Sequence, residues 1–414
     1  MLDEEQYLET RTEQLLRRTG LTRRELLKLG AAVPVAAGIA RFAPAATALA
    51  ALRDTPPPPI LKPLPAEWFT KLGTNAEMRW DAVKGLGYLT PPERFFVRNH
   101  TATAAVDAST WQLSVFGSGL NGPGASFTLD QLRSLPVHEV TAFVECAGNG
   151  RSFFASQQGT PAPGSQWTLG AIGVARWRGV RLAEVLQRSG IAANAVDVMP
   201  QGLDAHVVTN GVDYGNVRRP LPAAKALDDA LLAYEMNGVP LLPDHGFPLR
   251  LIVPGWVGVA NVKWIGQIEV SNQPLFSLWN TQQYRLLGAD YPADSPPLTA
   301  QVVKSAWELG SGAALPNGER VTLTGRAWSG TSGIARVDVS IDHGATWTQA
   351  KLHSRNGAGN WVQFSYSFPP QPAGSYELWA RATDVSGRTQ PATVPFNSLG
   401  YLFGAIVRHP VVIH

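Results

Sequence analysis

The chain is 414 residues long, 44% hydrophobic and 16% charged, enough apolar material for two domains with real cores and too little charge for a disordered chain. Its net charge of +3, with no basic stripe interleaved with aromatics, argues against nucleic acid as a partner. The single cysteine excludes an intrachain disulfide and any zinc or iron–sulfur site built from cysteines, while 40 glycines and 32 prolines favour short elements and many turns.

In chain order, Thr22-Arg23-Arg24-Glu25-Leu26-Leu27-Lys28 precedes a mildly apolar run, Leu29 to Ala40, and small residues near Ala48-Leu49-Ala50. Residues 1–50 read as a twin-arginine export signal, which implies a periplasmic or otherwise extracytoplasmic protein that folds before export. A surface helix with a chance Arg-Arg pair is the alternative. A membrane span is disfavoured, because the run before Arg41 is about 12 residues where about 20 are needed.

Residues 51–90, with Pro56–Pro59, Pro63 and Pro65, read as an extended Pro-rich segment without strand or helix period. Ordered text begins at Pro91 with Arg94-Phe-Phe-Val-Arg98-Asn99-His100. A strand is expected over Trp111–Gly117, short helices over Leu129–Leu135 and Val180–Gly190, and further strands over Leu249–Gly255 and Val262–Val270. These elements mix without a regular βαβ beat, so residues 91–293 form an α+β domain. Beyond Asp294-Ser-Pro-Pro297 come Arg320–Trp328, Ile334–Ile341, Trp347–Leu352, Trp361–Phe368 and Ser375–Ala382, alternating at period two between Gly, Asn and Asp turns. Residues 294–414 are therefore expected as an immunoglobulin-like β-sandwich.

One stretch organises the rest: Thr141-Ala-Phe-Val-Glu-Cys146-Ala-Gly-Asn149-Gly-Arg151. Val140, Phe143 and Val144 read as a strand leaving the core, and Ala147–Gly150 as a tight turn, which presents the sulfur at a strand end. A lone cysteine reads equally as a small buried hydrophobe. The turn and Arg151 argue for chemistry, since an adjacent cation favours thiolate over thiol.

Taken together, Phe96-Val97-Arg98-Asn99-His100, Glu145–Asn149, Gly202-Leu-Asp204, Leu232–Gly238, His245–Arg250 and Val262-Lys263-Trp264 resemble the sulfite oxidase family of molybdenum enzymes, as do Ser340–Trp347 and Arg381–Asp384 in the second domain. Any one segment is weak; the ordered set covers nearly all of the chain from about Pro91 to its end. The resemblance implies a molybdopterin-binding fold followed by the sandwich, a molybdenum–molybdopterin cofactor, and Cys146 as thiolate ligand to the metal. A soft thiolate suits a metal already held by dithiolene sulfurs. By the same resemblance the pterin and its phosphate are held by Phe96, Val97, Arg98, Asn99, His100, Asp204, His245, Arg250, Asn261, Val262 and Lys263. Arg98 and Arg151 are expected to hold a sulfur oxyanion, Tyr284 to stand beside the metal, and Trp167 to wall the pocket. Each of these has an ordinary structural alternative, a capped turn, a surface pair or a core tryptophan.

The implied reaction is oxidation of sulfite to sulfate, with electrons leaving singly to an external acceptor such as a c-type cytochrome. The alternatives keep the cofactor and change the substrate to sulfane sulfur, nitrate or oxidised methionine. A cofactor-free binding module built on the sandwich is the more distant alternative. Two departures stand out. Gly150 occupies a position where many sulfite-oxidising relatives have arginine, and the substrate arginine usual in the second domain is not identifiable. No haem or flavin domain is expected, and the second domain implies a homodimer.

Overall fold

The computed structural model describes residues 59–353 and 357–414; the export-signal reading of residues 1–50 lies outside them. Among the described residues no helix is long and apolar enough to cross a membrane.

The first domain is built on two five-stranded sheets. In one, the strand Val137–Glu145 pairs antiparallel with Ile172–Arg181 from Val137 opposite Val180 to Glu145 opposite Ile172. Its first residues are exposed and Ala142–Glu145 are buried, so the strand drives its end into the interior. Ile172–Arg181 then pairs with Leu231–Met236, which also meets Val239–Pro240 and Arg250–Ile252. Ile172–Ala175 are buried on both faces, which removes the alternation that would mark this strand in the sequence.

The second sheet runs Leu221–Pro222, Asp197–Gly202, Ile265–Ser271, Gln112–Phe116 and Ala125–Thr128, with the Ile265–Gln112 strand pair parallel and the others antiparallel. Short helices fill the gaps. Leu129–Arg133 opens with a capping box between Thr128 and Gln131. The helix expected over 180–190 spans Leu182–Arg188, because Val180 and Arg181 remain paired with Leu232 and Leu231. Mixed sheets with few helices make an α+β domain, as the pattern implied.

The second domain packs a four-stranded sheet (Lys304–Trp307, Val321–Ser329, Asn360–Phe368, Lys351–Leu352) on a five-stranded one (Ala313–Leu315, Arg408–Ile413, Gly374–Asp384, Ile334–Ser340, Thr348–Gln349). Trp307, Leu323, Val337, Phe364 and Leu378 fill the space between them. Where one strand was expected over Trp347–Leu352, there are two of two residues each. The chain crosses from one sheet to the other at buried Ala350, whose N–H reaches Val337 O (2.8 Å).

The segment 51–90 also departs from expectation. Phe69–Leu72 and Asn75–Met78 form a hairpin that turns at Gly73 (φ 71°). Four residues per strand are too few to carry a readable period. Ala76 bridges to Val97, so this hairpin buttresses the segment carrying Arg98.

The domains are bolted together by buried polar contacts. Trp80 Nε1 donates to Trp307 O (2.7 Å), and Tyr88 and Trp361 exchange side chain-to-carbonyl hydrogen bonds, each 2.9 Å. Phe143 N–H, on the cysteine-bearing strand, donates to Gly359 O (2.7 Å).

Candidate functional site

Cys146 follows the strand end directly. Its N–H donates to Ala171 O (2.9 Å), and Asn149 N–H returns to Cys146 O (2.9 Å), closing the turn that Gly150 completes at φ 91°. Asn149 braces the turn twice, donating Nδ2 to Glu145 Oε1 (2.9 Å) and accepting Ala171 N–H (3.1 Å). Beneath it, fully buried Glu145 pairs with Lys304 of the second domain (2.8 Å) and accepts from Trp328 Nε1 (2.9 Å). Lys304 also donates to Asn149 O (2.9 Å), and Gln301 Nε2 to Glu145 O (2.8 Å). From the other side Gly258 approaches so closely that a Cβ there would sit 2.7 Å from Glu145 O. The sulfur's position is thus fixed by both domains.

Cys146 looks into a cleft. The cleft gathers Phe96, Arg98, Asn99, His100, Asp204, His245, Arg250, Asn261, Val262, Lys263 and Tyr284 around the sulfur. Its cations are poorly compensated. Arg250 is buried, donates to the carbonyls His245 O (3.0 Å) and Asn261 O (3.3 Å) and lies over the Trp177 ring, and burial lowers its pKa to about 9. Burial, with Arg250 beside it, also holds Lys263 well below its usual value; its ammonium donates to Asp244 O (2.8 Å) and Asn99 Oδ1. Burial and neighbouring cations push His100 and His245 well down, so both are neutral. Trp279 Nε1 donates to His100 Nε2 (2.8 Å), leaving Nδ1 as the protonated nitrogen. His245 Nε2 lies 2.9 Å from Pro92 O and must carry its proton there. Burial raises Asp204 against the opposing pull of Val217 N–H, Lys263 and Arg98.

Among the described residues, three buried polar atoms in this cleft have no hydrogen-bond partner: Arg98 Nη1, Arg250 Nε and Asp204 Oδ2. Desolvated polar atoms of this kind cost free energy unless a ligand satisfies them. Arg98 Nη2 donates to Tyr284 Oη (3.2 Å). Burial works against the Arg98 charge, yet Tyr284 and Cys146 beside it raise its pKa, so it is a permanent cation next to the sulfur. Burial raises the Tyr284 phenol, which stays protonated.

Three expected residues stand elsewhere. Val97 points away into an apolar cluster with Ile60, Phe69 and Ala76, while its neighbours Phe96 and Arg98 line the cleft. Trp167 lies behind Phe96, edge-on at 6.4 Å, and does not line the cleft. Arg151 also does not line it. Its Nε donates to Leu399 O (3.1 Å) and its Nη1 to Ser165 O (2.8 Å), while the guanidinium lies over the Tyr401 ring at 5.4 Å. Sequence reasoning missed Asp244, whose carboxylate accepts Leu61 N–H (3.0 Å) and Lys62 N–H (2.7 Å), although it directly precedes His245. It also missed Tyr401, for which no local signal existed.

Residues 100–279 match the family described as oxidoreductase molybdopterin binding domain, and residues 303–413 the family described as Mo-co oxidoreductase dimerisation domain. The chain is 37% identical over 325 residues to the mitochondrial sulfite oxidase of Mus musculus, covering 74% of this chain and 58% of that protein, so it spans little more than half the relative's length. It is 38% identical over 327 residues to the sulfite oxidase of Gallus gallus, covering 74% and 69% respectively. It is 31% identical over 356 residues to a nitrate reductase of Hordeum vulgare, covering 79% and 40%. Among solved structures it is similar to the sulfane dehydrogenase SoxCD of Paracoccus pantotrophus, with 26% identity and a TM-score of 0.69 over 89% of this chain and 92% of that one.

Proposed function

The chain belongs to the sulfite oxidase family of molybdopterin oxidoreductases, and we propose that it oxidises sulfite to sulfate. The observation that carries this reading is the convergence of Cys146, Arg98 and Tyr284 on a cleft of desolvated cations. Overall, sulfite and water give sulfate, two protons and two electrons, and the electrons pass singly to an external acceptor, a c-type cytochrome.

The donor set fits the cofactor that this family uses. Arg250 and Lys263 offer charge to a phosphate, Arg250 Nε and Asp204 Oδ2 are buried without hydrogen-bond partners among the described residues, and His245 Nδ1 and His100 Nδ1–H offer one acceptor and one donor. Cys146 is the proposed metal ligand. When bound, the molybdenum–pterin group supplies the two-electron redox chemistry. The chain supplies the rest. Arg98, charged at any working pH, draws the anion toward the sulfur and holds it in a planar fork. Tyr284, kept protonated by burial, donates a hydrogen bond to a developing oxyanion beside Arg98. The apolar walls of Phe96, Val144 and Val259 exclude bulk water and strengthen both interactions.

Residues 1–50 are proposed to direct export by the twin-arginine route, and the second domain to form a homodimer. The test is metal analysis and sulfite addition after production in a molybdenum-competent host. About one molybdenum per chain, sulfite-dependent bleaching of the visible spectrum and a silent Cys146→Ser variant support the reading; absence of molybdenum refutes it. A second reading, oxidation of sulfane sulfur, is favoured by the withdrawal of Arg151 from the cleft, which leaves less fixed positive charge than a sulfite dianion would use. Molybdenum present, with reduction of the visible spectrum by a sulfane-sulfur substrate and none by sulfite, would select it.

A further inference from the structure

The withdrawal of Arg151 has a visible cause. Its guanidinium grips a strap, Asn397–Leu402, that reaches over from the second domain. The strap is fixed at both ends of its turn. Asn397 Oδ1 accepts Tyr401 N–H and its Nδ2 donates to Tyr401 O, both at 2.8 Å. Leu402 N–H donates to Ala147 O (2.8 Å), one residue past the cysteine. Gly400, at φ 59°, lets the strap lie flat: a Cβ there would sit 2.7 Å from both Arg151 Cγ and Ala162 Cβ.

What the strap delivers is an aromatic ring. Tyr401 stacks on Tyr284 with centroids 5.0 Å apart and planes 10° from parallel. Tyr284 in turn holds φ at 55°, a conformation rare for a bulky residue and maintained only where surroundings impose it. Its hydroxyl accepts from Arg98. The order in space is therefore Arg151, Tyr401, Tyr284, Arg98, with the cleft beyond.

We propose that Tyr401 is a positioning residue for the substrate side of the site, setting Tyr284 against Arg98, and that Arg151 acts through Tyr401 by clamping the strap. The first domain's anion-holding pair is thus aligned by an insertion from the second domain. For its kinetic consequence the inference rests on the sulfite reading.

The test is a double-mutant cycle on the cofactor-loaded enzyme, with Tyr401→Leu, Arg151→Met, their combination, and Tyr401→Phe as the ring-preserving control. Sulfite KM and kcat are measured for each. Tyr401→Leu and Arg151→Met each raise KM by about tenfold, and the double variant is no more than about twofold worse, since both remove one device. Tyr401→Phe stays within about twofold of the parent. Losses that multiply toward about a hundredfold, or a loss for Arg151→Met with none for Tyr401→Leu, overturn the proposal. Should Arg151→Met fail to fold, the contrast of Tyr401→Leu with Tyr401→Phe decides. A second readout needs neither metal nor turnover: in cofactor-free full-length protein, iodoacetamide alkylation of Cys146 quickens about fivefold in Tyr401→Leu and Arg151→Met as the strap loosens over Ala147. If no form oxidises sulfite yet alkylation quickens in both, the substrate reading fails and the strap stands. Unchanged alkylation in both overturns it.

Discussion

Replacing Lys304 by methionine tests whether the cysteine turn is held by the second domain. Glu145 is fully buried and Lys304 nearly so, with 2.8 Å between ammonium and carboxylate. Removing one partner of such a pair typically costs about 3–5 kcal/mol, because the other charge is left in a low-dielectric interior. Here Asn149 and Trp328 still donate to the carboxylate, which places the expected loss at the lower end, about 3 kcal/mol. The same substitution frees Asn149 O inside the turn. Glu145→Gln in combination with Lys304→Met removes the orphaned charge and should recover most of the loss, to within about 1 kcal/mol of the parent. The assay is urea unfolding at neutral pH followed by tryptophan fluorescence, comparing midpoints at constant slope. A Lys304→Met protein within about 1 kcal/mol of the parent, or a double variant no better than the single, would refute the assignment of this pair as the tie between domains.

Glu77 gives a pH signature: burial raises its carboxyl from 4.5 to about 7, although Thr168 and Gly170 donate to it. The folded state then binds a proton that the unfolded state has released, so stability falls as pH rises from about 4.5 to 7. Glu77→Gln, which keeps the hydrogen-bond geometry, should gain on the parent by up to about 3 kcal/mol between pH 5 and pH 8. A pH-independent difference in unfolding midpoint would sink this account. Arg98→Lys keeps the charge but loses the fork, and sulfite KM should rise by about 10- to 100-fold with a smaller change in kcat; unchanged KM argues against Arg98 as the anion's holder. Lys263→Met should leave the fold intact and lower molybdenum content per chain at least several-fold, read by elemental analysis, because the phosphate loses a charged donor. Gly258→Ala places a methyl 2.7 Å from Glu145 O and should cost about 1–3 kcal/mol with loss of metal retention.

The cysteine loop was legible because its ingredients are local: a β-branched run, then glycines that only a turn accommodates. The sandwich was legible for the same kind of reason, most plainly in Gly374–Asp384, where buried and part-exposed residues alternate. Ile172–Arg181 was not, because burial on both faces erases alternation, and the Phe69–Met78 hairpin was not, because its strands are too short to repeat. Within the site, Arg98, Asp204, Arg250 and Lys263, each carried on a short segment, reach the cleft beside Cys146, as the resemblance had placed them only by type. Arg151 did not, although it sits five residues from the cysteine. Sequence adjacency predicts proximity of backbones, whereas a long side chain goes where its five donors are satisfied, here on two carbonyls. Tyr401 was beyond reach for a different reason: the contact between Arg151 and its strap spans 248 positions of sequence, and nothing in the text around Leu399 announces its partner.

Glu145 also bears on where this polypeptide can be cut. The Pro-rich stretch near Asp294 looks like a seam, and the two family matches fall on either side of it. Yet Lys304 and Trp328, both beyond that seam, hold the carboxylate that lies next to the cysteine, and Gln301, also beyond it, holds the main-chain carbonyl of the same residue. A fragment ending at the seam would leave the Glu145 carboxylate with Asn149 as its remaining side-chain donor and a turn with a loose carbonyl. The two halves are separable as text and as topology, but they share a buried charge pair, and a truncation meant to isolate the first half would remove part of what holds its cysteine turn.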